Sequence, residues 1–267
     1  MGNQSYPISI FILDVSNSST NAIGDELTAY LDELVNWINI WTKPLGTMKV
    51  KHRAGDEIIF VGYGYSTAYT IAFFISSIWK YHQYRPYFGL SFGDIEKELA
   101  DLDIEKWIHP LIKQARYAND LLKQEQTRQP FKFELDLFIQ SQPNHPFLYN
   151  QFRKEFKSLF NTLLSLQHSL TQAQTNIQTL VCSAYLILQQ QKAVGHLLNK
   201  TAPTISSHMK KGKCEEILHS FDELLIILNS LEKKTYPEEV NPKERNEQLI
   251  QSIRNYLKEH INILLTD

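Results

Sequence analysis

Residues 48–61 read Met48-Lys49-Val50-Lys51-His52-Arg53, then Ala54-Gly55-Asp56-Glu57, then Ile58-Ile59-Phe60-Val61. The first six alternate apolar and polar, the pattern of a half-buried strand. Gly55-Asp56 is turn chemistry: glycine reaches positive φ without steric cost and aspartate bonds its own backbone. The apolar run after it is the returning strand, so the stretch is a β-hairpin. Upstream, Ile8–Leu13 is a continuous apolar run ending at Asp14, a buried strand. Between that strand and the hairpin, Leu27, Leu31, Leu34, Val35 and Ile38 repeat at helical spacing, and Pro44 and Gly46 end the helix. Downstream come an apolar helix over 67–81, a strand over 86–93, a helix over 103–123 and a strand over 131–135. The order β-α-β-β-α-β is the split βαβ, ferredoxin-like arrangement, an antiparallel sheet with helices on one face. The expected fold class is α+β.

The composition changes after Gln140-Ser141-Gln142-Pro143-Asn144-His145-Pro146. From about Tyr149 onward every periodicity is helical. Three units are expected: a sheet domain over 1–142, a helical domain over 147–234, and a last helix over 241–267. That last helix follows the Tyr236–Pro242 break and carries Leu249, Ile250, Ile253, Tyr256, Leu257 and Ile261 on one side. A chain of 267 residues has room for such a division.

The net charge of −2 names no partner, but its distribution does. The first 146 residues carry 13 Lys+Arg and 17 Asp+Glu, whereas residues 147–234 carry 10 and 6. Between 171 and 214 stand Lys192, Lys200, Lys210, Lys211 and Lys213 without a single acid. A local basic patch on a near-neutral chain suggests one surface that faces a polyanion. Cys182 and Cys214 have no metal-ligand spacing and read as reduced, buried or half-buried thiols in a reducing compartment. The apolar runs Ile8–Leu13 and Ile71–Ile78 are too short to cross a membrane, and no basic region precedes the first. A cytoplasmic protein with no membrane partner is expected.

Within the basic stretch three helices are expected in close succession. Ile177–Leu188 is the first and Ala193–Asn199 the second. Lys200-Thr201-Ala202 is a turn, and Pro203 opens a third that can run on to Leu228. Val194, Leu197 and Leu198 would pack on Ile205 and Met209. Thr201 suits the N-cap and Pro203 the first turn, where its missing N–H costs little. What remains of the third helix is Thr204, Ser206, Ser207, Lys210 and Lys211, with Lys213 beyond. Short hydroxyls reach base edges and lysines reach phosphates. This is a helix-turn-helix, with double-stranded DNA as partner and residues 203–213 as the recognition helix. Gly195, inside the second helix, should cost about 1 kcal/mol against alanine.

A second constellation lies in the sheet half. Asp14 ends the first strand and Asp56 and Glu57 sit on the hairpin, places that a ferredoxin-like sheet makes neighbours. Two carboxylates there suit Mg²⁺, which in turn binds nucleotide phosphates. Arg116, with Glu57 nearby, is placed to meet a nucleotide phosphate or to pair with the acids. Plain turn chemistry accounts for the same residues. His52, His82 and His109 read as surface or turn residues. The Tyr and Phe side chains between Tyr63 and Tyr87 read as core.

Taken in order, Leu13-Asp14-Val15-Ser16-Asn17-Ser18, Gly55-Asp56-Glu57, Phe88-Gly89-Leu90-Ser91-Phe92-Gly93, His109-Pro110 and Ala115-Arg116, followed by Ala193–Lys213, resemble the SatD family over about residues 6–228. The resemblance implies a bacterial or phage protein with a cyclase-like N-terminal domain and a C-terminal helix-turn-helix. The wider relatives are class III nucleotide cyclases and GGDEF diguanylate cyclases, in which aspartates at the places of Asp14 and Asp56 bind metal ions. This chain lacks the Gly-Phe-Thr pattern after Asp14 and one glycine of the diguanylate cyclase hairpin. Ser19 stands where the closer family has arginine, and Ile58-Ile59-Phe60 where it has Phe-Gln-Gly. These departures favour a domain that binds a nucleotide, or only dimerises, over one that turns a nucleotide over. The expectation is a dimeric DNA-binding transcriptional regulator whose N-terminal domain answers to a nucleotide or protein effector. The alternatives are an Mg²⁺-dependent nucleotide-processing enzyme using Asp14 and Asp56, and a structural or protein-interaction module.

Overall fold

Each apolar run of the first half becomes a strand or helix of one sheet-centred unit. A computed structural model describes residues 5–16, 24–53, 55–125, 128–135, 152–232 and 241–265. The elements are β1 (Tyr6–Val15), α1 (Gly24–Thr42), β2 (Lys49–Arg53), β3 (Glu57–Tyr63), α2 (Thr67–Ser77), β4 (Pro86–Ile95), α3 (Pro110–Gln124) and β5 (Phe131–Phe133). Then come α4 (Arg153–Gln172), α5 (Asn176–Leu188), α6 (Gln191–Leu197), α7 (Ala202–Lys211), α8 (Cys214–Leu231) and α9 (Pro242–Leu264). The class is α+β. The sheet order is β2-β3-β1-β4-β5, antiparallel except that β5 runs parallel to β4.

Alternation along the strands gives the sheet two apolar faces. Phe11 and Leu13 of β1 join Ile58 and Phe60 of β3 and Phe88, Leu90 and Phe92 of β4 in one cluster with α1 and α2. Ile8, Ile10 and Ile12 join Ile59, Val61 and Ile95 in another, closed by Leu111, Ile112 and Ala115 of α3. The expectation of helices on one face therefore needs correction, because α3 covers the second. Small residues let it approach. A Cβ on Gly89 would fall inside van der Waals distance of the Ala115 carbonyl oxygen and the Asn119 amide nitrogen, and one on Gly93 would touch Leu111. From this seat Asn119 Nδ2 donates to the carbonyls of Ile12 (2.9 Å) and Tyr87 (3.0 Å), tying two strands together. At the sheet edge, Asn161 of α4 pairs with the Phe133 backbone. Its Oδ1 accepts from Phe133 N–H (2.8 Å) and its Nδ2 donates to Phe133 O (2.9 Å), which covers part of an otherwise open edge.

Three helix boundaries differ from expectation, each for a local reason. α2 stops at Ser77 rather than Tyr81, where the Ile78 N–H turns back to the carbonyls of Phe74 and Ile75. α3 starts at Pro110 rather than Asp103, because a proline inside a helix loses a hydrogen bond and clashes with the preceding turn. His109 is its N-cap, with Nδ1 accepting from the Leu111 N–H at 3.3 Å and the ring stacked on Trp107. The helix opened by Pro203 ends at Lys211, since Lys213 takes a left-handed backbone (φ 54°) and a new helix begins at Cys214.

The His109 cap carries a pH signature. Burial pushes its pKa below the ordinary 6.5, and the neutral ring is the form that can accept from Leu111. Its contribution is complete above pH 6.5 and fades as pH falls through the lower folded value. His109→Asn keeps an acceptor that does not titrate. Urea unfolding at a series of pH values is expected to show a shallower loss of stability below neutrality in the variant. Identical profiles would contradict the assignment.

The Pro- and Asn-bearing segment at 140–146, expected as a boundary, lies outside the described residues. The described helices on its far side share the core of the sheet half. Phe221 of α8 stacks on Phe73 of α2 with centroids 4.2 Å apart, and Phe160 of α4 lies 5.2 Å from Phe133. Leu249, Ile253, Leu257 and Ile261 of α9 enter the same cluster, so the expected apolar stripe of the last helix faces inward. A buried polar seam joins the start of α2 to α8 and α9. Ser66 Oγ donates to Asn229 Oδ1 (2.7 Å), Thr70 Oγ1 donates to Asn246 Oδ1 (2.8 Å), and Glu232 accepts from the Tyr65 N–H (3.1 Å) while holding Arg245 (2.6 Å).

Candidate functional site

Helices α5, α6 and α7 form a compact unit on a small core of their own. Val181, Cys182 and Ala184 of α5, Val194 of α6, and Ile205 and Met209 of α7 are buried together with Cys214, and Leu197 and Leu198 pack against them. The connections are tight. Gln189 (φ 58°) turns α5 into α6, and Asn199 (φ 50°) turns α6 toward α7. Asparagine is among the few non-glycine residues that tolerate this region well. Gly195 has a reason to be glycine. The Lys200 carbonyl folds back on α6, so an added Cβ would lie 2.9 Å from that oxygen, and Lys200 N–H donates to the Gly195 carbonyl at 2.9 Å.

α7 is amphipathic in the plainest way. Ile205 and Met209, one turn apart, face the small core, while Ser206, Ser207, Lys210 and Lys211 are exposed. Thr201 and Thr204 have another use. The Thr201 side chain caps α7 by accepting from the Thr204 N–H (3.4 Å), and the two hydroxyls bond each other at 2.9 Å. Lys213 lies past the end of α7 and its Nζ pairs with Glu216 at 2.9 Å. Of the seven residues expected to face DNA, four therefore share an exposed helix face, two serve the helix start, and one is engaged by an acid.

Beside the start of α7 the surface is concave. Lys192, Gly195, His196, Asn199, Lys200 and Ala202 line a cleft of about 380 Å³. Lys192 and Lys200 were legible as part of the acid-free stretch, but His196 and the cleft were not. Their signal was the spacing of Lys192 and His196, four residues apart on one helix, which places them on one side.

The expected carboxylate constellation is also brought together. The β1–β3 register ends at Leu13↔Ile58, and Asp14 and Glu57 are the next residues on the two strands. Protein cations meet these acids. Lys123 Nζ donates to Asp14 Oδ2 at 2.5 Å. Arg116 donates to both oxygens of Glu57, at 2.6 and 2.9 Å, and Arg53 adds a third bond at 3.3 Å. Burial, opposed by the Lys123 bond, raises the Asp14 pKa, with the charges of Asp56 and Glu57 adding to the rise. The Glu57 carboxylate raises that of Arg116. Among the described residues no three His, Cys, Asp or Glu side chains are grouped to hold a metal ion. Lys123 on Asp14, and Arg116 and Arg53 on Glu57, take up carboxylate oxygens that a cation bound beside Asp14 would need. The cluster is a set of ion pairs that fastens α3 to β1 and to the hairpin. Arg53 and Lys123 belong to it and were missed, since nothing local in sequence links them to Asp14 or Glu57.

Among the described residues no helix is long and apolar enough to cross a membrane. No family model, no curated protein and no solved structure matches this chain.

Proposed function

We propose that the chain is a DNA-binding regulator in which α5, α6 and α7 act as a helix-turn-helix and α7 enters the major groove. The observation that carries this reading is the exposed face of α7. Ser206, Ser207, Lys210 and Lys211 stand free on a helix whose opposite side is anchored by Ile205 and Met209. A reading helix needs a rigid seat, short hydrogen-bonding side chains for base edges and cations for phosphates. The cleft with Lys192 and Lys200 adds cations beside the same helix. The direct readers in this proposal are Ser206 and Ser207, and the phosphate contacts are Lys210 and Lys211.

The sheet half is read as the ferredoxin-like, cyclase-like platform of a SatD-type protein that has lost a metal site and kept the frame. Its strand order β2-β3-β1-β4 supports this, as does the ion-paired state of Asp14 and Glu57. In this reading the protein works in the cytoplasm as a homodimer. Phe152, the N-cap of α4, and Leu159 and Leu166 on the helix, all exposed and spaced by seven, support a self-contact. A dimer predicts a pseudo-palindromic site with half-sites one DNA turn apart. Selection of bound fragments from random genomic DNA tests the reading. The expected result is enrichment of one discrete two-fold sequence. Retention of no fragment even at low salt would overturn it.

A further inference from the structure

The chain has two cysteines, and the fold brings them to one corner. Cys182 lies on α5 and Cys214 opens α8. Both are free and buried, 7% and 1% exposed, in the small core beneath α6 and α7. The backbone closes the corner. Gly212, two residues before Cys214, packs so tightly on Gln178, one turn before Cys182, that an added Cβ would lie 2.9 Å from Gln178 Cβ. Gln174 Nε2 donates to the Gly212 carbonyl at 2.5 Å. Inside this corner the two cysteines share one buried cluster, and the Cys214 thiol and the Gln174 amide are the polar groups that act on the Cys182 sulfur. The neighbouring Cys214 thiol and the Gln174 amide hold Cys182 below the ordinary thiol range, and the neighbouring Cys182 with burial pushes Cys214 up. Cys182 also lines a cavity of about 80 Å³ with Gln174, His168 and Thr179, whose rim includes the exposed Thr171. A small oxidant entering this cavity meets the more nucleophilic sulfur first.

We propose that Cys182 and Cys214 form a peroxide-sensitive dithiol that closes reversibly to an intramolecular disulfide. The Cys182 thiolate attacks one oxygen of a hydroperoxide, breaking the O–O bond. Sulfur is oxidised to sulfenic acid and the second oxygen leaves as hydroxide, which becomes water on protonation. The Cys214 sulfur then attacks the sulfenic sulfur, losing its proton and expelling a second water as the S–S bond forms. Two thiols and one hydroperoxide thus give one disulfide and two waters, or one water and an alcohol for an organic peroxide. A dithiol reductant reverses the step by exchange. The bond pins α5 to the corner that separates α7 from α8, the corner containing Gly212 and the left-handed Lys213. This inference does not depend on DNA binding.

The test uses the full chain, reduced, freed of reductant and exposed to hydrogen peroxide before thiol alkylation. Intact mass and peptide mapping are expected to show the loss of two hydrogen atoms, a Cys182–Cys214 cross-link within one chain, and recovery of both alkylatable thiols after dithiothreitol. In Cys214→Ser a sulfenic acid is expected to accumulate at Cys182, labelled by dimedone, and Cys182→Ser is expected to leave Cys214 unlabelled. Two thiols that stay alkylatable, cross-links only between chains, or preferential labelling of Cys214 would overturn the proposal. The wild-type mapping decides the disulfide even if a variant fails to fold.

Discussion

Gly89→Ala is expected to cost about 3 kcal/mol of folding stability, at the upper end of what overpacking a core does. The reason lies in what the new methyl would meet. The atoms in its way, the Ala115 carbonyl oxygen and the Asn119 amide nitrogen, are backbone of α3 and cannot rotate aside. The helix would have to lift from the sheet, and Asn119 would lose its bonds to Ile12 and Tyr87. Gly24 is the control, because a Cβ there has nothing within 4 Å. Urea midpoints should fall steeply for Gly89→Ala and hardly move for Gly24→Ala. Equal, small effects would mean that α3 does not sit as closely on β4 as described.

The second large effect belongs to the seam between α2, α8 and α9. Glu232 is 2% exposed at its side chain and Arg245 13% exposed, and both Glu232 oxygens lie 2.6 Å from the guanidinium. Glu232→Gln leaves a buried positive charge without its partner and is expected to cost about 3–5 kcal/mol. Removing both charges is a different matter, since apolar pairs of similar volume often replace buried ion pairs at little cost. The double variant Glu232→Leu/Arg245→Leu is therefore expected to be more stable than Glu232→Gln alone. Denaturant titration of the three chains gives the comparison. A single variant as stable as wild type would remove this pair from the account of how the last helix is held.

Much of the architecture was legible because burial writes itself into periodicity. The run Ile8–Leu13 and the alternation of Met48–Arg53 placed β1 and β2, and the i, i+4 pair Ile205 and Met209 placed the buried side of α7. What periodicity does not carry is which face of a sheet a helix takes. The small residues Gly89, Ser91 and Gly93, alternating on one side of β4, were the available sign that α3 sits there. The run-on past Lys211 was misread because Lys213 adopts a left-handed backbone that its residue type does not announce.

The site residues divide in the same way. Ser206, Ser207, Lys210 and Lys211 were legible because exposed polar residues on a short amphipathic helix leave few other places to point. Thr201 and Thr204 were half legible. The N-cap role of Thr201 follows from Pro203 after it, but the hydroxyl pairing that takes up Thr204 depends on three-dimensional placement. Arg116 was legible as a possible partner of the acids, but Lys123 and Arg53 were not. Lys123 lies 109 positions from Asp14 and Arg116 lies 59 from Glu57, and only the docking of α3 on the second face joins them.

The central claim is that α7 meets DNA through Lys210 and Lys211. The measurement that tests it most directly is the salt dependence of affinity for a DNA duplex, wild type against Lys210→Ala/Lys211→Ala. Both lysines are exposed on α7, so the double variant should fold as wild type does. Each phosphate contact adds about 0.9 to the slope of log affinity against log salt, so the account expects the variant to bind more weakly with a slope shallower by about 1.8. Wild-type protein that binds no duplex at low salt, or a variant with an unchanged slope, would contradict it.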